Sequence, residues 1–219
     1  MTRILVATPV RAPLHPALWA RMTALHAELP RANPGLRLDV AVYENRISPP
    51  AGSDAFTAHA QARNELLARY LRPDHDYILW VDADVVAYPP DLPTRLLAVH
   101  PAAVVAPLVL IEGTQMFYDV FGFRALGGAQ VMAMWAPGPG NVSPAQLAEV
   151  GTCYLIPAEV YRRGAGYTPT PGHTEHASVM AAARAFQCPV LCDTTTTIYH
   201  ADLGTLGLPW HTSLPVGVA

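Results

Sequence analysis

The chain has 219 residues, 51% of them hydrophobic, enough for one compact domain with a sizeable core. Its formal net charge is −3, and all 14 of its fixed cations are arginines, so it lacks the basic footprint of a bulk nucleic-acid or anionic-membrane binder. The longest apolar run, Ala102 to Ile111, has ten residues and contains Pro107, which is too short for a transmembrane segment.

The opening, "MTRILVATPV", carries one basic residue and leads straight into a strand-like stretch, so no secretory signal is expected. Cys153, Cys188 and Cys192 are odd in number and lack zinc-knuckle spacing, which suits reduced thiols in a cytoplasmic protein. "RILVAT" (3–8) reads as a first strand, and Leu18, Met22, Leu25 and Leu29 mark an amphipathic helix over 15–29, closed by "PRANPG". "LRLDVAVY" (36–43) reads as a second strand, and after the loop "ISPPAGS" a strong helix runs over 55–71 with Ser53 or Asp54 as its cap. "YILWV" (77–81) is a strand, "DLPTRLLAVH" a short helix and "AAVVAPLVL" a further strand. This alternation predicts an α/β domain with a mostly parallel central sheet flanked by helices, Rossmann-like in its first half.

From Ile111 to Pro144 the chain is rich in Gly, Met and aromatics with little period, as befits an insert that shapes a cleft. "GTCYLIP" (151–157) is strand-like, "AEVYRRG" a helical turn, "AGYTPTPGHT" a loop, 175–187 a helix and 188–200 one or two strands. The tail from Ala201 is loop-like; Gly204, Gly207 and the Trp210-His211 pair suit a segment closing over a bound molecule.

The chemistry concentrates in "YILWVDADVVAYPPDL". In extended backbone, residues two apart share a face, so Asp82 and Asp84 are expected to point together while Ala83 faces away. The preceding apolar run puts the pair at the carboxyl end of an interior strand, where open α/β sheets bind ligands. Two carboxylates there suit a hard divalent cation completed by substrate phosphates. A strand-end turn with solvated acids is the plainer alternative.

The stretch "YILWVDADVVAYPPDLPTRLLA" resembles the Asp-x-Asp strand of nucleotide-diphospho-sugar glycosyltransferases of the A-type (GT-A) fold, most closely the mannan-polymerase-subunit type and the large inverting family that shares the motif. "RILVATPVR", "QARNELLARYL", "VGTCYLIPAEVYRRG" and "HTEHASVMAAARAFQCPVLCDTTTTIYH" resemble other segments of those families, in the expected order. The resemblance implies a single domain, with residues 1–110 binding a GDP- or UDP-sugar and 111–219 facing an unidentified hydroxyl acceptor. It implies Mn²⁺ or Mg²⁺ held by Asp82, Asp84 and His200, with Asp82 also touching the ribose. Thr8, Pro9 and Arg11 would follow the first strand and meet the base and ribose, largely through backbone groups, and Ala83 would sit within the cofactor-binding motif. Arg63 would approach the nucleotide or the aspartates, its planar fork suiting phosphate and carboxylate; a surface ion pair is the alternative. Inverting relatives carry Glu-Asp where this chain has Glu175-His176, capped by Thr174. Glu175 or His176 would then be the general base, or the enzyme would be retaining and need none; Glu175 could also simply favour the helix dipole.

Three other readings remain at this point. His173, His176 and His200 with Asp82 and Asp84 would make a metal-hydrolase site. A nucleotidyltransferase would use a related sheet and carboxylate-bound Mg²⁺, but "TPVRAPLHP" lacks the Gly-rich basic loop. A non-catalytic binding module would keep the fold alone.

Overall fold

The computed structural model of the chain describes residues 1–11, 13–45, 55–120, 122–129, 131, 144–169, 173–202 and 204. At its centre the apolar strand β1 (Thr2–Arg11) pairs in parallel with β2 (Leu36–Asn45) on one side and β3 (Tyr77–Val81) on the other. β4 (Val85–Ala87) follows β3 after a turn, and β5 (Val104–Ile111), β6 (Ala145–Leu147), β7 (Cys153–Pro157) and β8 (Val190–His200) complete one sheet. Its order is β2-β1-β3-β7-β5-β8-β4, with β6 also on β8.

Parallel pairing holds within β2-β1-β3 and between β5 and β8. The sheet as a whole is mixed, because β7 runs antiparallel to β3 and β5, and β4 and β6 antiparallel to β8. A buried strand is apolar throughout whichever way its neighbours run, so the residue pattern was silent on this. Pro107 is accommodated where the β5–β8 register shifts, a place in the ladder that requires no donor from it.

The helices cover this sheet with small or apolar faces. α1 (Pro16–Ala32) opens with proline in its first turn and buries Leu18, Met22, His26 and Leu29. It runs one turn beyond the expected end, through Pro30, to a cap at Asn33. The fully buried Asn33 amide donates to Leu29 O and Pro90 O, each at 2.8 Å, and accepts from Thr94 Oγ1 at 2.6 Å. It thereby fastens the end of α1 to the start of α3 (Leu92–Val99). α2 (Ala55–Tyr70) lays Ala58, Ala60, Ala62 and Leu66 on the core and buries one cation with them, Arg63. α4 (Ala158–Arg162) is the expected helical turn, and α5 (His176–Ala185) begins one residue later than expected.

The Thr174 hydroxyl does not cap α5; it donates to the Glu149 carboxylate instead. The three cysteines are free and buried. Among the described residues no helix is long and apolar enough to cross a membrane. The expected caps Ser53 and Asp54, and the tail residues Gly207, Trp210 and His211, lie outside the described residues, and of Arg11 only the backbone is described.

Candidate active site

β3 ends at Val81, between β1 and β7, and the chain turns at once: the Val85 amide donates to Asp82 O at 3.1 Å. Asp82 to Val85 is therefore a tight turn, and the expectation of extended backbone is corrected. The acids project apart onto different partners while remaining within electrostatic reach of each other. The Asp82 amide is held by Thr152 O at 3.0 Å, and Ala83 packs with Val10 and Met22, facing away as anticipated. The side chains of Asp82 and Asp84 are 27% and 31% exposed, so both carboxylates border solvent at the sheet's carboxyl edge.

Asp84 faces His200, the last residue of β8, with Oδ2 at 3.0 Å from Nε2. The antiparallel pairing of Val85 with His200, and the Ala201 amide on Asp84 O at 2.8 Å, hold the two together. His200 Nδ1 lies 2.8 Å from Ala201 O, a pure acceptor, so the ring proton sits on Nδ1. In the neutral ring Nε2 then turns a lone pair toward a carboxylate, an arrangement that calls for a shared proton or a cation. Tyr118 stacks on the imidazole with ring centroids 3.5 Å apart. Burial works against charge on both groups, yet their mutual attraction wins, raising the His200 pKa and lowering that of Asp84. Asp82 goes the other way: burial raises its pKa beyond what Arg63 can offset, and the Asp84 charge adds to it.

Two carboxylates and one imidazole are oxygen and nitrogen donors fit for Mn²⁺ or Mg²⁺. Among the described residues no three His, Cys, Asp or Glu side chains close on a single point. Such ions commonly keep waters and substrate phosphates as their remaining ligands, so a partial shell fits them.

Arg63 binds the site together from below. It is 2% exposed, donates from Nη2 to Asp82 Oδ1 at 2.6 Å and from Nε to Glu175 Oε1 at 3.2 Å, and lies over the Trp80 and Tyr167 rings. Its Nη1 is buried without a partner. Glu175 is nearly as buried; that burial would raise its carboxyl, but the positive partners around it outweigh burial, and at neutral pH the Arg63 guanidinium is the one that keeps it ionised. Burial pushes His176 down to about 3, so its ring is neutral, with Nδ1 3.2 Å from the Tyr154 hydroxyl. That hydroxyl belongs to a buried chain: Tyr154 to Tyr167 at 2.6 Å, Tyr167 to Tyr161 at 2.8 Å, and the Trp80 indole onto Tyr161 at 2.9 Å. Asn64 adds two bonds, 2.8 and 2.9 Å, to the Tyr167 backbone.

The remaining sequence candidates are dispersed. Thr8 and Pro9 lie within β1, which continues past them to Arg11 alongside β2, rather than in a loop. The Thr8 hydroxyl is fully buried, 3.3 Å from His26 Nε2. His173 pairs with Glu149 at 3.5 Å, so His173, His176 and His200 occupy three separate settings and the hydrolase cluster does not assemble.

Sequence reasoning passed over Asp119, Thr152 and His59. Asp119 is 7% exposed and is raised by burial to about 6, against hydrogen bonds from Thr152 and Gly122; it feels the charges of Asp82 and His200. His59 lies one turn before Arg63, 3.7 Å from Glu175. The one available signal was Asp119 itself, the sole acid in the aromatic "FYDVFGF".

The fold is that of the GT-A nucleotide-diphospho-sugar glycosyltransferases, a mixed α/β sheet flanked by helices. Residues 57–122, from α2 through the Asp82–Asp84 turn to Gly122, match the Anp1 family, the mannan-polymerase subunits. A Drosophila β-1,4-galactosyltransferase 7 variant, solved with manganese, UDP-Gal and xylobiose, superposes with a TM-score of 0.56 at 12% identity, over 99% of this chain and 78% of that one. GalNAc-T7, solved with UDP, GalNAc and Mn²⁺, gives 0.56 at 13% identity, over 100% of this chain and 46% of that one. No curated protein matches the sequence.

Proposed function

We propose that the protein is a metal-dependent glycosyltransferase that transfers a sugar from a nucleotide-diphosphate sugar to a hydroxyl acceptor. The observation that carries this reading is the Asp84–His200 pair, with Asp82 beside it, at the carboxyl edge of an interior strand in a GT-A fold. Asp84, His200 and Asp82 would hold Mn²⁺ or Mg²⁺. When bound, that ion supplies Lewis-acid stabilisation to a departing diphosphate. UDP accompanies both structural neighbours, and the resemblance to the mannan-polymerase-subunit type, which the Anp1 match supports, suits a GDP-sugar, so the donor is a UDP- or GDP-sugar. Residues 1–110 would take the donor and 111–219 the acceptor.

Within the site Arg63 orients Asp82 and offsets part of the cost of burying its charge, which its own charge and its 2.6 Å bond suit it to do. Glu175 and His176 we read as the groups that hold Arg63. Glu175 is engaged by the guanidinium and His176 is buried and neutral, so neither presents an available base to an acceptor hydroxyl.

Thermal unfolding tests the reading. UDP or GDP should raise the melting temperature only with Mn²⁺ or Mg²⁺ present, and Asp84→Ala should abolish that rise. A rise with zinc alone would instead support a hydrolase. Turnover in a screen of UDP- and GDP-sugars would identify the donor, and product stereochemistry would separate inversion from retention.

A further inference from the structure

Thr152 has a φ of 53°, in the left-handed region that a β-branched residue avoids. The residue before it is glycine, which would bear that geometry readily, yet the chain places the strain on threonine. Two bonds explain why. The Thr152 hydroxyl donates to Asp119 Oδ2 at 2.7 Å, and the Thr152 carbonyl accepts the Asp82 amide at 3.0 Å. The second Asp119 oxygen takes the Gly122 amide at 2.9 Å, so both carboxylate oxygens are engaged.

The surroundings are shaped to admit this carboxylate. A Cβ on Gly122 would overlap it, and a Cβ on Gly151 would stand 2.9 Å from Oδ2 and 3.3 Å from the His176 ring. A buried carboxylate with two glycines cleared around it is costly to maintain unless it does something. Asp119 lies at the far end of the segment whose neighbour, Tyr118, stacks on His200.

We propose that Asp119 is a positioning residue for the Asp82–Asp84 turn, acting through the strained backbone of Thr152. Asp119 holds the hydroxyl, the hydroxyl holds Thr152 in its left-handed conformation, and that conformation aims the carbonyl at the Asp82 amide. The turn is thereby registered against β7 as well as β3, and the backbone around Asp119 and the acidic turn are set together. The proposal rests on the glycosyltransferase reading only for what the turn binds.

Four variants test it: Thr152→Val removes the hydroxyl and keeps the β-branch, Thr152→Ser keeps the hydroxyl, Asp119→Ala removes the carboxylate, and Asp119→Asn keeps one acceptor and turns a donor to the hydroxyl oxygen. Amide hydrogen exchange at Asp82 is read on the metal-free protein, and Mn²⁺ affinity by electron paramagnetic resonance in the presence of UDP or GDP. Thr152→Val and Asp119→Ala should speed Asp82 exchange and weaken Mn²⁺ binding about tenfold or more, the usual scale for outer partners of a metal site. Thr152→Ser and Asp119→Asn should stay near the parent in both. Should Asp119→Ala not fold, Thr152→Val carries the test alone. Unchanged Asp82 exchange in Thr152→Val overturns the proposal, as does an Asp119→Asn that fails like Asp119→Ala, since the charge would then matter and not the hold. A parent protein that takes up no Mn²⁺ would sink the glycosyltransferase reading, yet the exchange data would still decide the clamp.

Discussion

Arg63 illustrates how one side chain sets the character of a site. It is a fully buried cation on a helix face otherwise made of alanine and leucine, and its stability depends on the two acids it touches. Removing a buried charge strands its partners, which costs more than the pair contributes. Arg63→Met should lower the unfolding free energy by about 3–5 kcal/mol, read from urea titration. Arg63→Lys should recover part of that stability but not the nucleotide-dependent stabilisation, because an ammonium cannot bridge Asp82 and Glu175 as a fork does. A lysine variant equal to the parent in both would mean that charge alone suffices. In the sequence Arg63 was singled out by the resemblance, since α2 also carries Arg69 and the residue pattern alone does not rank the two. Its partners were not: Glu175 lies 112 residues away, and no local pattern encodes that approach.

At the scale of elements, the joint between α1 and α3 is the clearest case of structure carried by one amide. Asn33 makes three side-chain bonds there, one to the buried Leu29 carbonyl and two to Pro90 and Thr94, residues that reach solvent. Asn33→Ala should cost about 1–3 kcal/mol by removing these bonds from the joint. Because none of these three bonds involves a residue of the acidic turn, the midpoint of unfolding should fall with no change in metal or nucleotide affinity; a loss of affinity would show that α3 is coupled to the site. The existence and type of α1 followed from its helical spacing, β2 from partial alternation, and β3 and β5 from short continuous apolar runs, while α2 and α5 read as helical stretches. β4 and β6 escaped notice because each has three residues and no period of its own. Likewise β1 was expected to stop at Thr8, where its continuous apolar run ends, whereas the parallel ladder with β2 carries on to Arg11.

For the whole molecule, two buried histidines tie stability to pH. Burial lowers His26 to about 4 and His176 to about 3, whereas in the unfolded chain both regain a proton near 6.5. Between those values the unfolded state binds more protons at these two sites, so their contribution is full above about 6.5 and falls as the pH drops, while Asp119, raised to about 6, works in the opposite direction below that pH. His26 alone should account for about 3 kcal/mol by pH 4. Denaturation curves from pH 7 to pH 4 should show this slope, and His26→Gln should flatten it; an unchanged slope would mean that His26 is solvated. Ligand linkage acts in the same currency. A nucleotide held at roughly one hundred times its Kd should add about 2.7 kcal/mol, provided the metal is present.

The linear order of residues was sufficient to announce an α/β protein, an acidic pair at the tip of a buried strand and a histidine at the end of a later one. These are features of period, of adjacency and of position along an element, all of which survive in one dimension. Folding alone decided that the acids sit in a turn, that β7 runs against β3, that Glu175 secures Arg63, and that Asp119 reaches Thr152. Each of these is a meeting of groups far apart along the chain, settled by which packing of sheet, helices and insert leaves the fewest buried charges and hydrogen-bonding groups unpaired.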